Sequence, residues 1–238
     1  MIFSNIKDID LNDKSSWIDN IFLTFDIDWA SDDVLEYTLN ILEEYNIKAT
    51  FFVTHETSIL ERMRKNPNIE LGIHPNFNPL LKGDFKYGKN IDEVMQYYKS
   101  IVPESVSVRS HALTQNSTYL SLLKKYNITY ECNSYIPKNS NIELKPYLHW
   151  DKILIRVSHF WEDDLHCIYK DSWNVKKYLN YKGLKVFDFH PIHIYLNTED
   201  LNRYESARNC FQNTDILNKK MNKDFFGTRN FLERILQG

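Results

Sequence analysis

The chain has 238 residues, of which 42% are hydrophobic and 26% are charged, so it is long enough to bury one sizeable core. Its net charge of −3 excludes a strongly basic surface, and we therefore expect no nucleic-acid partner. The three cysteines are widely spaced, the N-terminus lacks a signal-peptide pattern, and no apolar run approaches the roughly 20 residues of a membrane helix. These features predict a cytoplasmic protein without a transmembrane segment.

Strand-like and helix-like segments alternate along the chain, a pattern typical of an α/β fold with a parallel sheet. The predicted strands lie in the apolar stretches Ile21–Ala30, Lys48–Thr54, Ile69–His74, Ser105–His111, 128–133, Lys152–Trp161 and Gly183–His190. The predicted helices are 31–46, Glu56–Lys65, Ile91–Ile101, 116–126, Asp200–Lys220 and Phe225–Leu236. Residues 75–90 form a long loop rich in Asn, Pro and Gly, which predicts a functional loop.

Two aspartates, Asp26 and Asp28, stand where the first apolar run ends. The run reads as a buried parallel strand, and acids at its carboxyl end are costly unless a positive group meets them. A single acid here would be explained by capping of the following helix. Two acids spaced i, i+2 point to the same side of an extended chain, so we interpret the pair as half of a site.

Three more predicted strands end in imidazole or guanidinium groups. These groups belong to His74, Arg109, His111, His190 and His193. In a parallel sheet all carboxyl ends lie on one face, which is where ligands bind in α/β folds. We therefore expect these side chains to converge with the aspartate pair.

A carboxylate combined with neutral imidazoles is a ligand set for Zn²⁺, with Fe²⁺, Co²⁺ and Ni²⁺ as alternatives. Such an ion activates water and polarises a carbonyl group. A second carboxylate off the metal would act as a general base, a histidine as a general acid, and an arginine would orient the base. The set predicts metal-assisted amide or ester hydrolysis. GxSxG, P-loop and GxGxxG motifs are absent, which leaves covalent serine hydrolysis and nucleotide chemistry unsupported.

In the order of these motifs, the chain resembles the NodB-homology polysaccharide deacetylases, the family 4 carbohydrate esterases. The family pattern TFDD, H[ST]xxH, RxPxG, a tryptophan motif and LxH corresponds here to Thr24–Asp28, His74–Asn78, Arg109–His111, Trp161 and Phe189–His190. The phrases HPNFN, RSH and FHPIH look closest to a WbmS-like branch associated with bacterial surface-polysaccharide loci. Over roughly residues 21–193, the resemblance implies an α/β fold in the form of an irregular (β/α) barrel, expected to be seven-stranded.

The resemblance also implies roles for individual residues. Asp26 corresponds to the catalytic base, Arg109 to the partner of that base, and His190 to the general acid. Asp28 and His74 correspond to metal ligands. Sugar-contacting positions are expected at Trp29, Trp161 and His193.

The chain departs from the family pattern at two ligand positions. Ile27 separates the two aspartates, so the roles of Asp26 and Asp28 are open to exchange. Asn78 stands at the position of the second metal-binding histidine, and either Asn78 or His111 completes the ligand set. The family's proline and glycine after the arginine are also absent, which leaves the shape of the sugar groove and the substrate open.

The resemblance therefore predicts a metal-dependent hydrolase that removes an acyl group, N-acetyl in the first instance, from an amino sugar or a surface-polysaccharide precursor made in the cytoplasm. Two alternatives are a deformylase or other small amidohydrolase on the same scaffold, and a non-catalytic carbohydrate-binding relative. The identity of the sugar, the metal and the oligomeric state stay open.

We expect one domain, 1–238, with 198–238 as a C-terminal helical extension. Gly227–Arg229 stands between two apolar segments of this extension, where a lid hinge is one interpretation. The other interpretation is that the terminal helices cover the barrel.

Overall fold

The computed structural model describes residues 1–238 and contains ten β-strands that belong to one sheet. In chain order they are β1 (Ile2–Phe3), β2 (Asn20–Asp26), β3 (Ala49–Val53), β4 (Ile69–Ile73), β5 (Ser107–Val108), β6 (Tyr130–Glu131), β7 (Tyr147–Leu148), β8 (Ile155–Arg156), β9 (Trp161–Glu162) and β10 (Lys185–Phe189). Their order in the sheet is β7-β8-β6-β5-β4-β3-β2-β10-β9, with β1 beside β2. Every pair is parallel except β7 with β8.

One extended segment closes this sheet into a barrel. β8 and β9 lie near opposite ends of the strand order, yet only residues 157–160 separate them in the chain. The backbone N–H of Val157 donates to the carbonyl of Glu131 in β6 at 2.9 Å, whereas that of Phe160 donates to the carbonyl of Val186 in β10 at 3.3 Å. The segment therefore joins both edges, and β2, β3, β4, β5, β6, β8–β9 and β10 form a ring of seven parallel segments.

The expected distorted (β/α) barrel is confirmed. The sheet has ten strands rather than seven because the closing segment counts as two and the short strands β1 and β7 flank the ring. β2, β3, β4 and β10 are buried along their whole length, as their continuous apolar sequences predict.

Eleven α-helices connect and cover the strands. They are α1 (Asp32–Glu44), α2 (Ile59–Lys65), α3 (Asn78–Leu81), α4 (Ile91–Ile101), α5 (Ser117–Leu123), α6 (Asp163–Tyr169), α7 (Val175–Leu179), α8 (Pro191–Leu196), α9 (Leu201–Ala207), α10 (Thr214–Lys220) and α11 (Thr228–Gln237). α4 shows the local logic, since Asn90 caps it through the N–H of Glu93 and its apolar stripe, with Val94 and Tyr98, is buried. No helix combines the length and apolar character needed to cross a bilayer.

Several predicted elements differ from the structure in their bounds, and two of these differences change the path of the chain. The predicted strand Ser105–His111 is shortened to β5, because the chain turns into a 3₁₀ segment at His111, where Ala112 and Leu113 have positive φ values. The predicted helix Asp200–Lys220 is divided into α9 and α10 by a turn. The first difference matters for the site, because the turn directs His111 over the end of the barrel.

The end of the chain is packed against the barrel. Phe231 in α11 is fully buried and stacks on Trp161 of β9, with ring centroids 4.6 Å apart. At the proposed lid hinge, Gly227–Arg229, a Cβ atom on Gly227 would lie 2.3 Å from the carbonyl oxygen of Asn197, so this glycine permits close packing, which favours the covering interpretation over the hinge. The tail helices cover the barrel, as the alternative interpretation holds.

Candidate active site

Three side chains with metal-binding groups meet at the carboxyl ends of the barrel strands. Asp28 follows β2, His74 follows β4 directly, and His111 follows β5. His74 Nε2 lies 3.3 Å from Asp28 Oδ1, and His111 Nδ1 lies 3.1 Å from the same oxygen. One donor atom from each of the three residues lies within 4.8 Å of the others. Two imidazoles and one carboxylate at these separations match the donor set of a divalent transition-metal ion.

A bend in the backbone aims Asp28 at the two histidines. The strand ladder continues as far as Ile27, whose N–H donates to the carbonyl of Phe52 at 3.2 Å. Asp28 and Trp29 then adopt φ values of 35° and 57°, a left-handed conformation that is uncommon for residues other than glycine. Although the chain is not extended at Asp28, both carboxylates reach the same histidine: Asp26 Oδ2 lies 3.5 Å from His74 Nδ1, and Asp28 Oδ1 lies 3.3 Å from His74 Nε2.

The histidines also determine the charge state of Asp28. Burial alone would raise the pKa of its carboxyl group, but hydrogen bonds from His111 and His74 outweigh burial and hold that pKa well below its usual value. Asp28 is therefore an anion at neutral pH, which is the form that binds a cation.

A second group, the pair of His190 and Asp163, lies beside the first. His190 Nδ1 is 2.7 Å from Asp163 Oδ1, and the His190 backbone N–H donates to Asp163 Oδ2 at 2.8 Å. His190 Nε2 faces Asp28 Oδ2 at 3.8 Å. Burial alone would lower the pKa of His190, but the carboxylates of Asp163, Asp28 and Asp164 outweigh burial and raise it well above its usual value. His190 therefore favours its protonated form, and its Nε2 faces the candidate ligand Asp28.

A buried guanidinium group supports the floor of the site. Arg109 is 0% exposed, and its Nη1 lies 3.0 Å from Asp26 Oδ1 and 2.9 Å from Thr24 Oγ1. The same Nη1 contacts a second carboxylate, Asp188 in β10. The other oxygen of Asp26, Oδ2, is 3.5 Å from His74 Nδ1. Arg109 thus fixes the orientation of Asp26, which in turn lies directly behind the candidate ligand His74.

The other residues that the sequence predicts for the site differ in how they contact this centre. The rings of Trp29 and His111 meet edge to face, with their centroids 5.1 Å apart. His193 is buried and stacks on the Tyr204 ring, and its Nδ1 lies 3.0 Å from Thr198 Oγ1. Asn78 begins α3, where its backbone N–H donates to the side chain of Asn76. Its side chain forms no hydrogen bond, and Asn78 remains the alternative to His111 as the third ligand.

Trp161 does not present an open surface for a sugar. It is 2% exposed, its ring stacks on Phe231, and its Nε1–H donates to His166 Nδ1 at 3.1 Å. The expected sugar contact at this position is therefore corrected to a packing role in the wall between the barrel and the terminal helix.

A pocket of about 240 Å³ opens beside the His190 side of the centre. Asp28, His190 and His193 form its polar end. Its apolar wall includes Leu201 and Tyr204 of α9, which belong to the C-terminal extension. The extension therefore supplies part of the candidate substrate pocket.

Two carboxylates of the site, those of Asp163 and Asp188, were not predicted as site residues from the sequence. Asp163 follows Trp161 by two residues in an acidic run, where helix capping is the ordinary explanation for an acid. Asp188 lies inside a strand whose neighbours Phe187 and Phe189 are apolar, and only pairing with the inward-facing Arg109 reveals its role. An isolated acid within an apolar strand was the one available signal for Asp188.

Comparisons with known proteins agree with these features. Residues 23–208 match the WbmS-like family, described as polysaccharide deacetylases. The crystal structure of WbmS from Bordetella bronchiseptica, described as a candidate polysaccharide deacetylase involved in O-antigen biosynthesis, is 43% identical. The alignment covers 99% of this chain and 97% of that chain, with a TM-score of 0.93. No curated protein gives a significant match.

More distant structures share less with the chain. A candidate polysaccharide deacetylase from Mycobacterium smegmatis is 16% identical, with 97% of this chain and 92% of that chain covered and a TM-score of 0.49. A family 4 carbohydrate esterase from Streptomyces lividans, in complex with acetate, is 15% identical, with 72% and 78% covered and a TM-score of 0.46.

Proposed function

The chain belongs to the WbmS-like polysaccharide deacetylase family, and we propose that it is a metal-dependent hydrolase acting on an acylated amino sugar. The bond broken is the amide, and N-acetyl is the acyl group that the family membership favours. The substrate is a surface polysaccharide or a precursor of one, since the WbmS structure is described in connection with O-antigen biosynthesis.

One observation carries this proposal. The donor cluster of Asp28, His74 and His111 lies beside a protonated His190, whose Nε2 is 3.8 Å from Asp28 Oδ2. Amide hydrolysis needs an electrophilic centre and a proton donor for the leaving nitrogen within reach of one bond. The two groups lie at that separation here, on the carboxyl-end face where barrel enzymes place their chemistry.

Asp28, His74 and His111 are the residues that would hold the metal. The fit rests on their donor chemistry, because both imidazole nitrogens approach one carboxylate oxygen within 3.3 Å. Zn²⁺ suits a set of two nitrogens and one oxygen, and Fe²⁺, Co²⁺ and Ni²⁺ are alternatives. When bound, such an ion polarises the substrate carbonyl and acidifies water.

Asp26 is the proposed general base, as the family motif implies. Its carboxylate is held by Arg109 at 3.0 Å and is nearly buried, so its orientation is fixed before substrate arrives. In this role Asp26 accepts a proton from the attacking water. The neighbouring His74 Nδ1, 3.5 Å from Asp26 Oδ2, gives the same carboxylate a second task of orienting a metal ligand.

His190 is the proposed general acid, and Asp163 is a positioning residue for it. The 2.7 Å contact between His190 Nδ1 and Asp163 Oδ1 fixes the ring so that Nε2 carries the mobile proton. Transfer of that proton to the amide nitrogen allows the amine to leave. Before this transfer, the Asp163 carboxylate stabilises the protonated imidazole of His190, and it does so without touching the substrate.

The sugar is proposed to occupy the pocket of about 240 Å³ beside His190, with His193 in its lining and with Trp29, which packs on His111, as a further contact. This volume exceeds that of an acyl group alone, so the ring of the amino sugar is included. A cytoplasmic precursor remains a prediction from the sequence, and cell fractionation tests it.

The test combines metal analysis with product detection. We expect about one divalent ion per purified chain and release of acetate from N-acetylated amino sugars. His74→Ala should abolish both, whereas His149→Ala, outside the site, should affect neither. A full metal complement in His74→Ala contradicts the ligand assignment. Release of formate from N-formyl sugars in preference to acetate would favour the deformylase alternative.

The variant Asp26→Asn tests whether Asp26 acts as the general base or as a metal ligand. We expect this variant to retain its metal and to lose turnover by about 10²-fold or more, the scale of a lost general base. Loss of metal in Asp26→Asn together with retention in Asp28→Asn would show that the two roles are exchanged.

A further inference from the structure

A large cavity of the molecule is separate from the residues assigned to catalysis. It has a volume of about 630 Å³ and lies between residues 135–141, β9, α6 and α7. Small-molecule sites in proteins typically have volumes of about 300–1,000 Å³. None of the proposed ligands, base or acid lines this cavity, so the proposed chemistry does not account for it.

Two lysines converge in its lining without a protein counter-ion. Lys138 Nζ lies 5.5 Å and Lys177 Nζ 5.4 Å from the centroid of the same ring, that of Tyr178. Neither ammonium group is part of a salt bridge, since the lysine salt bridges of the structure involve other residues. Burial and the nearby charge of Lys177 lower the pKa of Lys138, which shows that the two groups oppose each other. Lys138 Nζ also donates to the backbone carbonyl of Lys177, so the two side chains lie together while neither positive charge is neutralised by a salt bridge. Such uncompensated positive charge favours an anion.

The carboxylates of the lining form no salt bridge with these lysines. Glu162 and Asp171 both face the cavity, but neither lies within 4.0 Å of a lysine nitrogen there. Burial and the charge of Asp164 raise the pKa of Glu162 to about 10, so Glu162 is neutral near pH 7.

The rest of the lining is aromatic and amide in character. Tyr135 and Tyr169 offer ring surfaces, and Asn139 and Asn141 offer hydrogen-bonding groups. Tyr169 is largely exposed and Tyr135 partly so, which leaves both accessible to a ligand. Aromatic faces of this kind stack on planar heterocycles, and amides pair with their polar edges.

The cavity and the catalytic pocket share a wall. Glu162 lines the cavity, and Asp164, two residues later in the chain, lines the pocket that contains His190. The helix α6 follows the same division, with Tyr169 on the cavity side and Ile168 on the pocket side. A ligand bound in the cavity therefore has the catalytic pocket directly beyond the Glu162–Asp164 pair.

We propose that this cavity binds the diphosphate group of a glycosyl carrier, whose sugar extends past Glu162 and Asp164 to His190. Lys138 and Lys177 supply two positive charges, which match a diphosphate better than a single carboxylate. Nucleoside diphosphates and polyprenyl diphosphates share this group, and the tyrosine lining favours the nucleoside. The sugar end of the proposal rests on the proposed function, whereas the diphosphate end does not.

Calorimetric titration of the full chain tests the site with three probes: UDP, inorganic pyrophosphate and farnesyl diphosphate. The buffer contains EDTA, so that metal at the catalytic centre does not contribute. We expect UDP to bind, and the double variant Lys138→Ala/Lys177→Ala to raise its Kd by about tenfold or more, the scale of a lost charge-assisted contact. Lys176→Ala is the matched control, because Lys176 is exposed on the same helix and does not line the cavity. Its Kd should change by less than about twofold.

The relative affinities identify the carrier. Tighter binding of UDP than of pyrophosphate supports a nucleoside carrier, and tighter binding of farnesyl diphosphate than of both supports a lipid carrier. Absence of binding by all three probes overturns the proposal, as does an equal effect of Lys176→Ala and the double variant. His74→Ala should still bind UDP, because His74 does not line the cavity. If the protein binds UDP through the two lysines but does not hydrolyse acetylated sugars, only the proposed function is contradicted. If the protein hydrolyses acetylated sugars but binds none of the diphosphates, only the diphosphate site is contradicted.

Discussion

At the scale of single residues, His111 and Asn78 compete for the third ligand position. The family pattern favours Asn78, whereas the geometry favours His111, whose Nδ1 lies 3.1 Å from Asp28 Oδ1. We predict that His111→Ala loses the metal and that Asn78→Ala keeps it, as measured by metal content after gel filtration. Both residues lie near the mouth of the barrel, so each variant serves as the control for the other. Loss of metal in Asn78→Ala alone would return the ligand role to the amide.

Another single residue, His166, links stability to pH. It is buried in the aromatic cluster with Trp161, and burial lowers its pKa to about 4. Between the unfolded value of about 6.5 and pH 4, the unfolded chain binds the extra proton, so stability falls as pH falls through this window. We predict that the free energy of unfolding in urea decreases more from pH 7 to pH 5 for the native chain than for His166→Asn. Asparagine retains an acceptor for Trp161, and parallel pH profiles would exclude this role for His166.

The sequence locates the residues of the site better than it specifies their geometry. Asp28, His74, His111 and His190 are recognisable because each follows an apolar strand, and parallel strands bring their ends together. The left-handed bend at Asp28 is invisible in the sequence, since it is imposed by the surrounding contacts, including the hydrogen bond from Trp29 N–H to Thr54 Oγ1 at 3.1 Å. Asp163 is equally hidden, because its partner His190 is 27 residues away in the chain.

At the scale of secondary-structure elements, long periodic segments are predicted well and the short ones are not. α4 begins and ends at Ile91 and Ile101 as predicted, because a capping asparagine and an apolar stripe mark it locally. The predicted strand Lys152–Trp161 contains β8 and reaches β9, but the exchange of its partner from β6 to β10 depends on residues far away in the sequence. Closure of the barrel is therefore a property of tertiary pairing that local patterns do not encode.

The junction between α8 and α11 illustrates a packing constraint at the same scale. Asn197 donates from its side chain to Asn230 Oδ1 at 2.8 Å and to the carbonyl of Phe225 at 3.3 Å, and Gly227 lies against its carbonyl group. We predict that Gly227→Ala lowers the free energy of unfolding by about 1–3 kcal/mol, because the added methyl group overlaps the Asn197 backbone. Urea denaturation measures the change. A hinge would instead give slower turnover at unchanged stability, which would contradict the packing interpretation.

For the molecule as a whole, the terminal segment is part of the fold. The ring of Phe231 lies within an aromatic cluster that joins α11 to the barrel wall, with centroids 4.6 Å from Trp161 and 5.6 Å from Tyr178. Leu232 and Ile235 on the same helix are also fully buried. The extension at 198–238 therefore contributes both a wall of the catalytic pocket, through α9, and a seal over the outer side of β9 and β10.

This organisation predicts that a chain ending before Asp224 does not fold, because the aromatic faces that α11 covers would be exposed to water. Phe231→Ala tests the same contact in the full chain and should lower the free energy of unfolding by about 3–5 kcal/mol. The matched control is Phe225→Ala, since Phe225 is 64% exposed and its loss should change stability by about 0.5 kcal/mol or less. Thermal and urea unfolding followed by circular dichroism measure both variants. A truncated chain with a native-like cooperative transition would show that α11 is a dispensable cover, and the barrel with α9 would then be the complete folding unit.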